Sequence, residues 1–382
     1  MKKWLASGLL FAISCHAVGA NKAMDADLQN IAQLSEIAAI SGFEKPVRLW
    51  LKEHWQPYTR DFKSDGMGNI ITGHSNNQQG PRLLLMSHMD EVGLMVDSIT
   101  DDGFIRVQAI GGIYGPVTFA QRWHIQTPSG VVTGYSGFDA PHLLKDDYKT
   151  KTPDFSKLFI DIGATSKQQA EQQFGIRPGL AIAPASKFTK LSDRRYLAKA
   201  LDDRIGLAAI TDTLKNVSPR HQPNQLFAAA TVQEEVGMRG ASTIYASTQA
   251  DVAINVEIGL ADDYPEVSAK RKNHIKLGAG PTLFVYDRSM IPNQALVEWV
   301  IALARKNNIP LQLELESGYG EDGARIQTSG KGVPVINLGI PMRYAHQQAG
   351  VFDIQDYRQL VKLLGLIVAN FNQDVMLQLE KA

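Results

Sequence analysis

The chain predicts a three-layer α/β sandwich interrupted by a small all-β module. Short apolar runs that read as buried strands alternate with stretches of helical periodicity. Residues from about 109 to 190 change texture, becoming rich in Gly, Pro, Thr and short β-type runs. Ionisable residues collect at the boundaries of the α/β elements, where open sheets place their ligands.

In chain order, Leu28, Ile31, Leu34, Ile37 and Ala38 recur at helical spacing. Ser41-Gly42 interrupts the pattern, and Val47, Leu49, Trp50 and Leu51 resume it. Gly66-Met67-Gly68-Asn69-Ile70-Ile71 reads as a turn into a strand, and Arg82 to Met86 as a buried strand ending in Ser87-His88-Met89-Asp90. Gly93–Val96 and Phe104–Val107 are expected to continue a sheet. Trp123–Thr127 and Gly130–Gly134 are β-type runs of the inserted module. Beyond it the pattern predicts a helix over Asp203–Leu214, a strand over Leu226–Val232, a short helix over Ala241–Ala246 and a strand over Asp251–Val256 ending at Glu257. Then come an amphipathic helix over Gln294–Asn307, a strand over Val333–Asn337 and a closing helix over Gln355–Phe371.

The first twenty residues read as a cleavable signal peptide: basic Lys2-Lys3, an apolar stretch from Trp4 to Ser14, and Ala17-Val18-Gly19-Ala20 at the cleavage site. Lipidation at Cys15 is a lesser alternative. The expected product is secreted or periplasmic. Cys15 is the only cysteine. After cleavage disulfides, thiolate metal sites and cysteine nucleophiles are excluded, so any metal falls to His, Asp and Glu. The 39 basic and 39 acidic residues balance, leaving −2 once Lys2 and Lys3 go. That argues against nucleic acid or an anionic membrane surface as a partner. No later run reads as a membrane span. The organisation expected is a leader over 1–20, a catalytic domain over 21–108 and 191–382, and an insert over 109–190.

Two adjacent glutamates, Glu234-Glu235, follow the apolar run Leu226–Val232. Paired carboxylates at a strand end need cations, or one takes up a proton. His88, Asp90, Asp202, Glu257 and His346 also fall at element boundaries, on the rim that such sheets share. Taken singly, each has a plain structural reading: Asp202-Asp203 as a helix cap, Glu234-Glu235 as surface partners of Arg239, His88 as an ordinary histidine. Together, two imidazoles and three or four carboxylates suit Zn²⁺ or a similar divalent ion. One carboxylate can bridge two metals about 3.5–4 Å apart, and another must stay free to take a proton. Successive strand residues point to opposite faces, so the chain must turn at Glu234-Glu235 for both to serve one site.

Ser41-Gly42-Phe43-Glu44, Ser87 to Gly93, Ala200 to Gly206, Val232 to Ala241, Gly278-Ala279-Gly280-Pro281 and Gly339 to His346 carry a resemblance. In these pieces the chain resembles the glutamyl-aminopeptidase-like, tetrahedral-aminopeptidase family of co-catalytic di-zinc metallopeptidases. The resemblance implies two divalent ions per subunit, Zn²⁺ with Co²⁺ or Mn²⁺ as alternatives. It implies that His88, Asp202 and Glu257 hold one, and that Asp202, Glu235 and His346 hold the other. Glu234 becomes the general base, and Asp90 orients His88. The fold implied is an α/β/α sandwich with a mixed sheet and an inserted β-barrel-like dimerisation domain. Dimers or twelve-subunit assemblies are the implied homo-oligomers.

Three positions depart from the family. Glu257 stands where the family has Asp. Gln347-Gln348-Ala349-Gly350 replaces Ser-Pro-x-Glu after His346. Gly320-Glu321-Asp322-Gly323-Ala324 replaces Gly-Thr-Asp-Ala. A signal peptide is also unusual in a family whose members are mostly cytosolic. The expectation is an exported di-metal exopeptidase, an aminopeptidase acting on short peptides. Glu257 keeps a carboxypeptidase or amidohydrolase in view. A non-catalytic metal-binding scaffold and a two-carboxylate glycosidase are the other rivals, and the glycosidase leaves His88 and His346 without work.

Overall fold

Four parallel strands form the middle of the larger sheet: Gln225–Thr231, Arg82–His88, Val252–Leu260 and Val335–Arg343, neighbours in that order. The computed structural model describes residues 24–381 except 60, 75–76, 78, 141, 144–151, 221 and 266–273. The expected leader and Cys15 lie outside the described residues. Antiparallel strands extend the sheet on both sides, Phe62–Ser64 with Ile70–Gly73 at one edge, and Gly350–Asp353, Arg195–Ala198 and Thr189–Lys190 at the other. The sheet is therefore mixed, with eleven strands in all.

Strand alternation divides the core into two. Leu83, Leu85, Ile254, Val256 and Leu338 pack under one layer, whose helices Ala26–Glu36, Leu201–Asn216 and Ile354–Asn370 supply Ile31, Ile210 and Leu364. Leu84, Met86, Ala253 and Val335 face the other way, against Ala241 and Ile244 of Ala241–Thr248 and Ile326 of Gly323–Gln327. The central strands are buried on both faces, which is why they read as continuous apolar runs. This is the expected α/β/α sandwich. Among the described residues no single helix is long and apolar enough to cross a membrane.

The second sheet has six strands in the order Gly130–Ser136, Gln121–Thr127, Ala181–Pro184, Gly93–Ile99, Ile105–Ile110 and Phe159–Ile160. Its ends nearly meet: Tyr135 and Asp161 exchange backbone hydrogen bonds of 2.8 and 2.9 Å. Trp123, Ile125, Leu94, Ile105 and Ile160 fill the interior. The runs expected to continue a sheet, Gly93–Val96 and Phe104–Val107, continue this one as Gly93–Ile99 and Ile105–Ile110. Leu94 pairs with Ile182 and Val96 with Val107, so both strands belong to the barrel-like unit, which begins well before residue 109.

Candidate active site

The four parallel strands bring their carboxyl ends to one rim. Register aligns Thr231 with His88, and Asn255 with Met86, which puts Glu257 at the level of His88 on the neighbouring strand. Glu257 lies inside the strand Val252–Leu260 rather than at its end. Asp202 enters from the start of the helix Leu201–Asn216, where Asp202 and Asp203 have non-helical backbone angles. His346 sits in the loop after Val335–Arg343, with φ 56°. Glu234 and Glu235 follow Gln233, whose φ is also 56°. The chain does turn before the glutamates, as two neighbours serving one site require.

Asp202 stands at the centre. Its Oδ1 lies 2.9 Å from His88 Nε2 and its Oδ2 3.2 Å from His346 Nε2. His88 Nε2 is 3.6 Å from Glu257 Oε1, and His346 Nε2 is 3.4 Å from Glu235 Oε2. Both imidazoles are oriented from behind through Nδ1. His88 donates to the Asp90 carbonyl at 3.0 Å, and His346 to the Gly112 carbonyl at 2.8 Å. Each ring thereby presents Nε2 to the carboxylates. A cavity of about 260 Å³ opens on Asp202, Glu234, Glu235, Glu257 and His346, with Met238 and Tyr319 on its wall. A larger groove, about 730 Å³, lies between the helices Leu201–Asn216 and Ile354–Asn370 and holds none of these residues.

The Asp90 side chain does more than stand behind His88. Its carboxylate is 3.6 Å from His88 Nδ1, farther than its own carbonyl. It accepts instead from the Ser41 hydroxyl at 2.6 Å and from the backbone amides of Glu234 and Glu235 at 3.0 and 3.1 Å. The preceding amides are held likewise: Gln233 N donates to Glu44 Oε1 at 3.1 Å, and Val232 N to Asn69 Oδ1 at 3.0 Å. Four successive amides that have left the sheet are thus satisfied by three side chains from distant segments. The sequence marks Ser41 to Glu44 as a motif and Gly66 to Asn69 as a turn into a strand, and neither reading assigns them this work. The signal was their place beside turns.

Crowding shapes the electrostatics. Burial, with Asp202 and Asp90 nearby, pushes Glu235 up to about 8, although His346 and His88 draw it down. Burial also holds Glu234 well above the usual carboxylate range, helped by Asp322, Glu235 and Asp90. Glu257 is raised by burial, Asp203 and Asp202. For His346 burial opposes charge, yet Glu235 and Asp202 raise it to about 10. Glu235 Oε1 is buried without a hydrogen-bond partner. Carboxylates that lift one another in this way, around inward-facing Nε2 atoms, form the donor set that a divalent cation relieves.

Among the described residues, two trios bring candidate ligand atoms within 4.8 Å of one another: His88, Asp202 and Glu235, and His88, Asp203 and Glu257. Asp203 was not expected in such a group. Its oxygens already accept from the Ser87 hydroxyl and from Gly206 N, whereas both Asp202 oxygens face histidines. The donor set fits metal, with Asp202 better placed than Asp203 to share one.

The barrel-like unit reaches this site. Gly111 has φ +84°, and a Cβ there would stand 2.8 Å from Val92 Cγ1 and 3.3 Å from Glu235 Cβ. A Cβ on Gly112 would stand 3.2 Å from His346 Nδ1. Sequence reasoning passed over both glycines.

Residues 68–363 match the family model described as M42 glutamyl aminopeptidase. A glutamyl aminopeptidase of Lactococcus lactis subsp. cremoris (strain MG1363) is 32% identical over 357 residues, covering 92% of this chain and 98% of that one. The TET aminopeptidase from the marine sediment archaeon Thaumarchaeota archaeon SCGC AB-539-E09 superposes with a TM-score of 0.88 at 35% identity, covering 93% of this chain and all of that one. The Pyrococcus horikoshii TET1 peptidase, described as assembling into a tetrahedron or a large octahedral shell, superposes at 0.80 with 27% identity over 90% of this chain and 99% of that one.

Proposed function

Because the chain belongs to the M42 glutamyl aminopeptidase family of peptide-bond hydrolases, we propose that it is a di-metal aminopeptidase removing N-terminal residues from short peptides. The observation that carries this reading is Asp202, one oxygen toward His88 and the other toward His346. His88, Asp202 and Glu257 would hold one ion, and Asp202, Glu235 and His346 the other. Zn²⁺ suits the mixture of imidazole and carboxylate. When bound, the ions supply Lewis acidity at the scissile carbonyl and lower the pKa of water.

Glu234 lines the cavity without an imidazole of its own and has the role of proton carrier. It takes a proton from the attacking water and returns it to the leaving amine. The environment that raises its affinity for protons suits a base that must later act as an acid. Glu235, one residue on, has its side chain 3% exposed and turned toward His346. Asp90 holds the amides of both glutamates, fixing the directions in which their side chains leave the backbone.

The basic and apolar leader supports export to the periplasm or outside the cell, and the assembly described for the TET1 peptidase supports a homo-oligomer here. The test is metal content and peptide cleavage together. Purified mature protein should release N-terminal residues from unblocked peptides, spare N-acetylated ones, lose activity on chelation and regain it with Zn²⁺. Full activity in protein stripped of metal would overturn the reading. Release from the carboxyl end would redirect it to the carboxypeptidase that Glu257 had kept in view.

A further inference from the structure

The turn that delivers Glu234 is built in an unusual way. The strand Gln225–Thr231 ends, and the next four amides find side-chain rather than backbone acceptors. Backbone bonds close the turn from the other side: Gly237 N and Met238 N both donate to the Glu234 carbonyl at 2.8 Å, and Arg239 N to the Gln233 carbonyl at 3.1 Å. Gln233 sits between these two sets in the left-handed region, which residues with a Cβ rarely adopt.

Glu44 meets the chain at that residue. It is 4% exposed, and its Oε1 accepts from Gln233 N at 3.1 Å and Gly42 N at 2.6 Å. Hydrogen bonds to an ionised acceptor are stronger than neutral ones. Ser41, three residues earlier, donates to Asp90, which holds the next two amides. Ser41-Gly42-Phe43-Glu44 therefore grips one turn at both ends. In a regular strand Glu234 and Glu235 would point to opposite faces. With a left-handed residue before them, both line the same cavity.

We propose that Glu44 is a positioning residue for Glu234, holding Gln233 in the left-handed conformation that aims the Glu234 carboxylate into the site, while Asp90 holds the amide of Glu235. This rests on Glu234 as the proton carrier. The assignment concerns geometry alone: Glu44 is not among the residues lining the cavity, and its Oε1 is engaged by the amides of Gly42 and Gln233.

The experiment compares E44A and E44Q, each in the otherwise native chain and with E234Q, using the best-cleaved member of a set of aminoacyl anilides. A misplacement of about 1 Å can cost on the order of 10²-fold. E44A should therefore lose about 10- to 100-fold in kcat, with KM and metal content near those of the native protein. E44Q should recover most of the loss, because its carbonyl oxygen can accept the same two amides. In metal-free protein, hydrogen exchange across residues 231–240 should quicken in E44A and not in E44Q. With E234Q present, E44A should add no further loss. An equal loss on both backgrounds would overturn the proposal, as would unchanged kcat in E44A or an E44Q as impaired as E44A. If E44A does not fold, E44D substitutes, its shorter arm withdrawing the acceptor from Gln233. Native activity in the single variant E234Q would instead refute the proton-carrier reading, independently of Glu44.

Discussion

His346 donates through Nδ1 to the carbonyl of Gly112 at 2.8 Å, so a residue of the barrel-like unit sets the direction of an imidazole in the sandwich. Gly112 comes directly after Gly111, which follows the strand Ile105–Ile110 of the smaller sheet. The two units therefore share one site, and the insert has a part in it beyond any role in assembly.

This contact is open to test at Gly111. Its φ of +84° is one that a residue with a Cβ adopts with strain, and the new atom would stand 2.8 Å from Val92 and 3.3 Å from Glu235. A backbone conformation of this kind costs about 1–3 kcal/mol for a non-glycine residue. Gly111→Val should displace the Gly112 carbonyl and Glu235 together. We expect reduced occupancy of the site formed by Asp202, Glu235 and His346, measured by elemental analysis. Native metal content in a folded Gly111→Val would show that the insert does not organise this site.

Glu234→Gln removes the group that accepts a proton while keeping its size. General acid–base catalysis contributes about 10²–10⁴-fold. The variant should lose at least that much in kcat and keep its metal, since Glu235 rather than Glu234 lies near His346. Turnover within about tenfold of native would assign the proton transfer to another group.

Asp202→Ala removes both oxygens that face the histidines. It should lose one metal ion or both and all measurable peptidase activity. Metal content decides the outcome, because activity alone would not separate lost ligation from altered substrate binding. Full occupancy would refute the bridging role.

Much of this could be read in the sequence, and the misses have physical causes. The strands Arg82–His88, Val252–Leu260 and Val335–Arg343 were legible in part, as Arg82–Met86, Asp251–Val256 and Val333–Asn337, because burial on both faces makes a run of apolar residues. His88, Asp202, Glu234, Glu235 and His346, singled out in the sequence because each lies near an element boundary, are brought together at one cavity or within reach of Asp202. Which sheet Gly93–Ile99 joins was not legible. Its apolar residues look alike whichever sheet they join, and only pairing with Ile182, far along the chain, decides the matter. Glu257 was read as a strand end because a charge interrupts the apolar run, whereas the strand continues to Leu260. The cradle of Glu44, Asn69 and Asp90 was hidden for another reason. Its partners are backbone amides, which every non-proline residue carries, so Val232 to Glu235 bear no mark of who holds them.

Arg204 lies beneath the site and gives a prediction about stability. Its side chain is fully buried, and it donates to the carbonyls of Met89 at 2.6 Å, Leu34 at 2.9 Å, Ile37 at 3.1 Å and Ala39 at 3.0 Å. Glu91 is 3.8 Å away and forms a buried ion pair with Lys199 at 2.6 Å. The guanidinium thus joins the end of the first helix to the residue after His88, and it offsets a buried carboxylate. Arg204→Met would fill much of the volume but supply no donor. Some carbonyls keep a second partner, since Ala39 O also accepts from Glu91 N and Ile37 O from Lys199 Nζ. Breaking a buried charge network by removing one partner costs about 3–5 kcal/mol, and the retained bonds place the expectation at the lower end. The measurement is urea unfolding followed by far-UV circular dichroism, with the midpoint expected to fall at unchanged slope. Cleavage by the folded variant should also weaken, because Met89 adjoins His88. A native midpoint would mean that Glu91, Lys199 and the freed carbonyls find other partners, and that Arg204 does not hold the floor of the site.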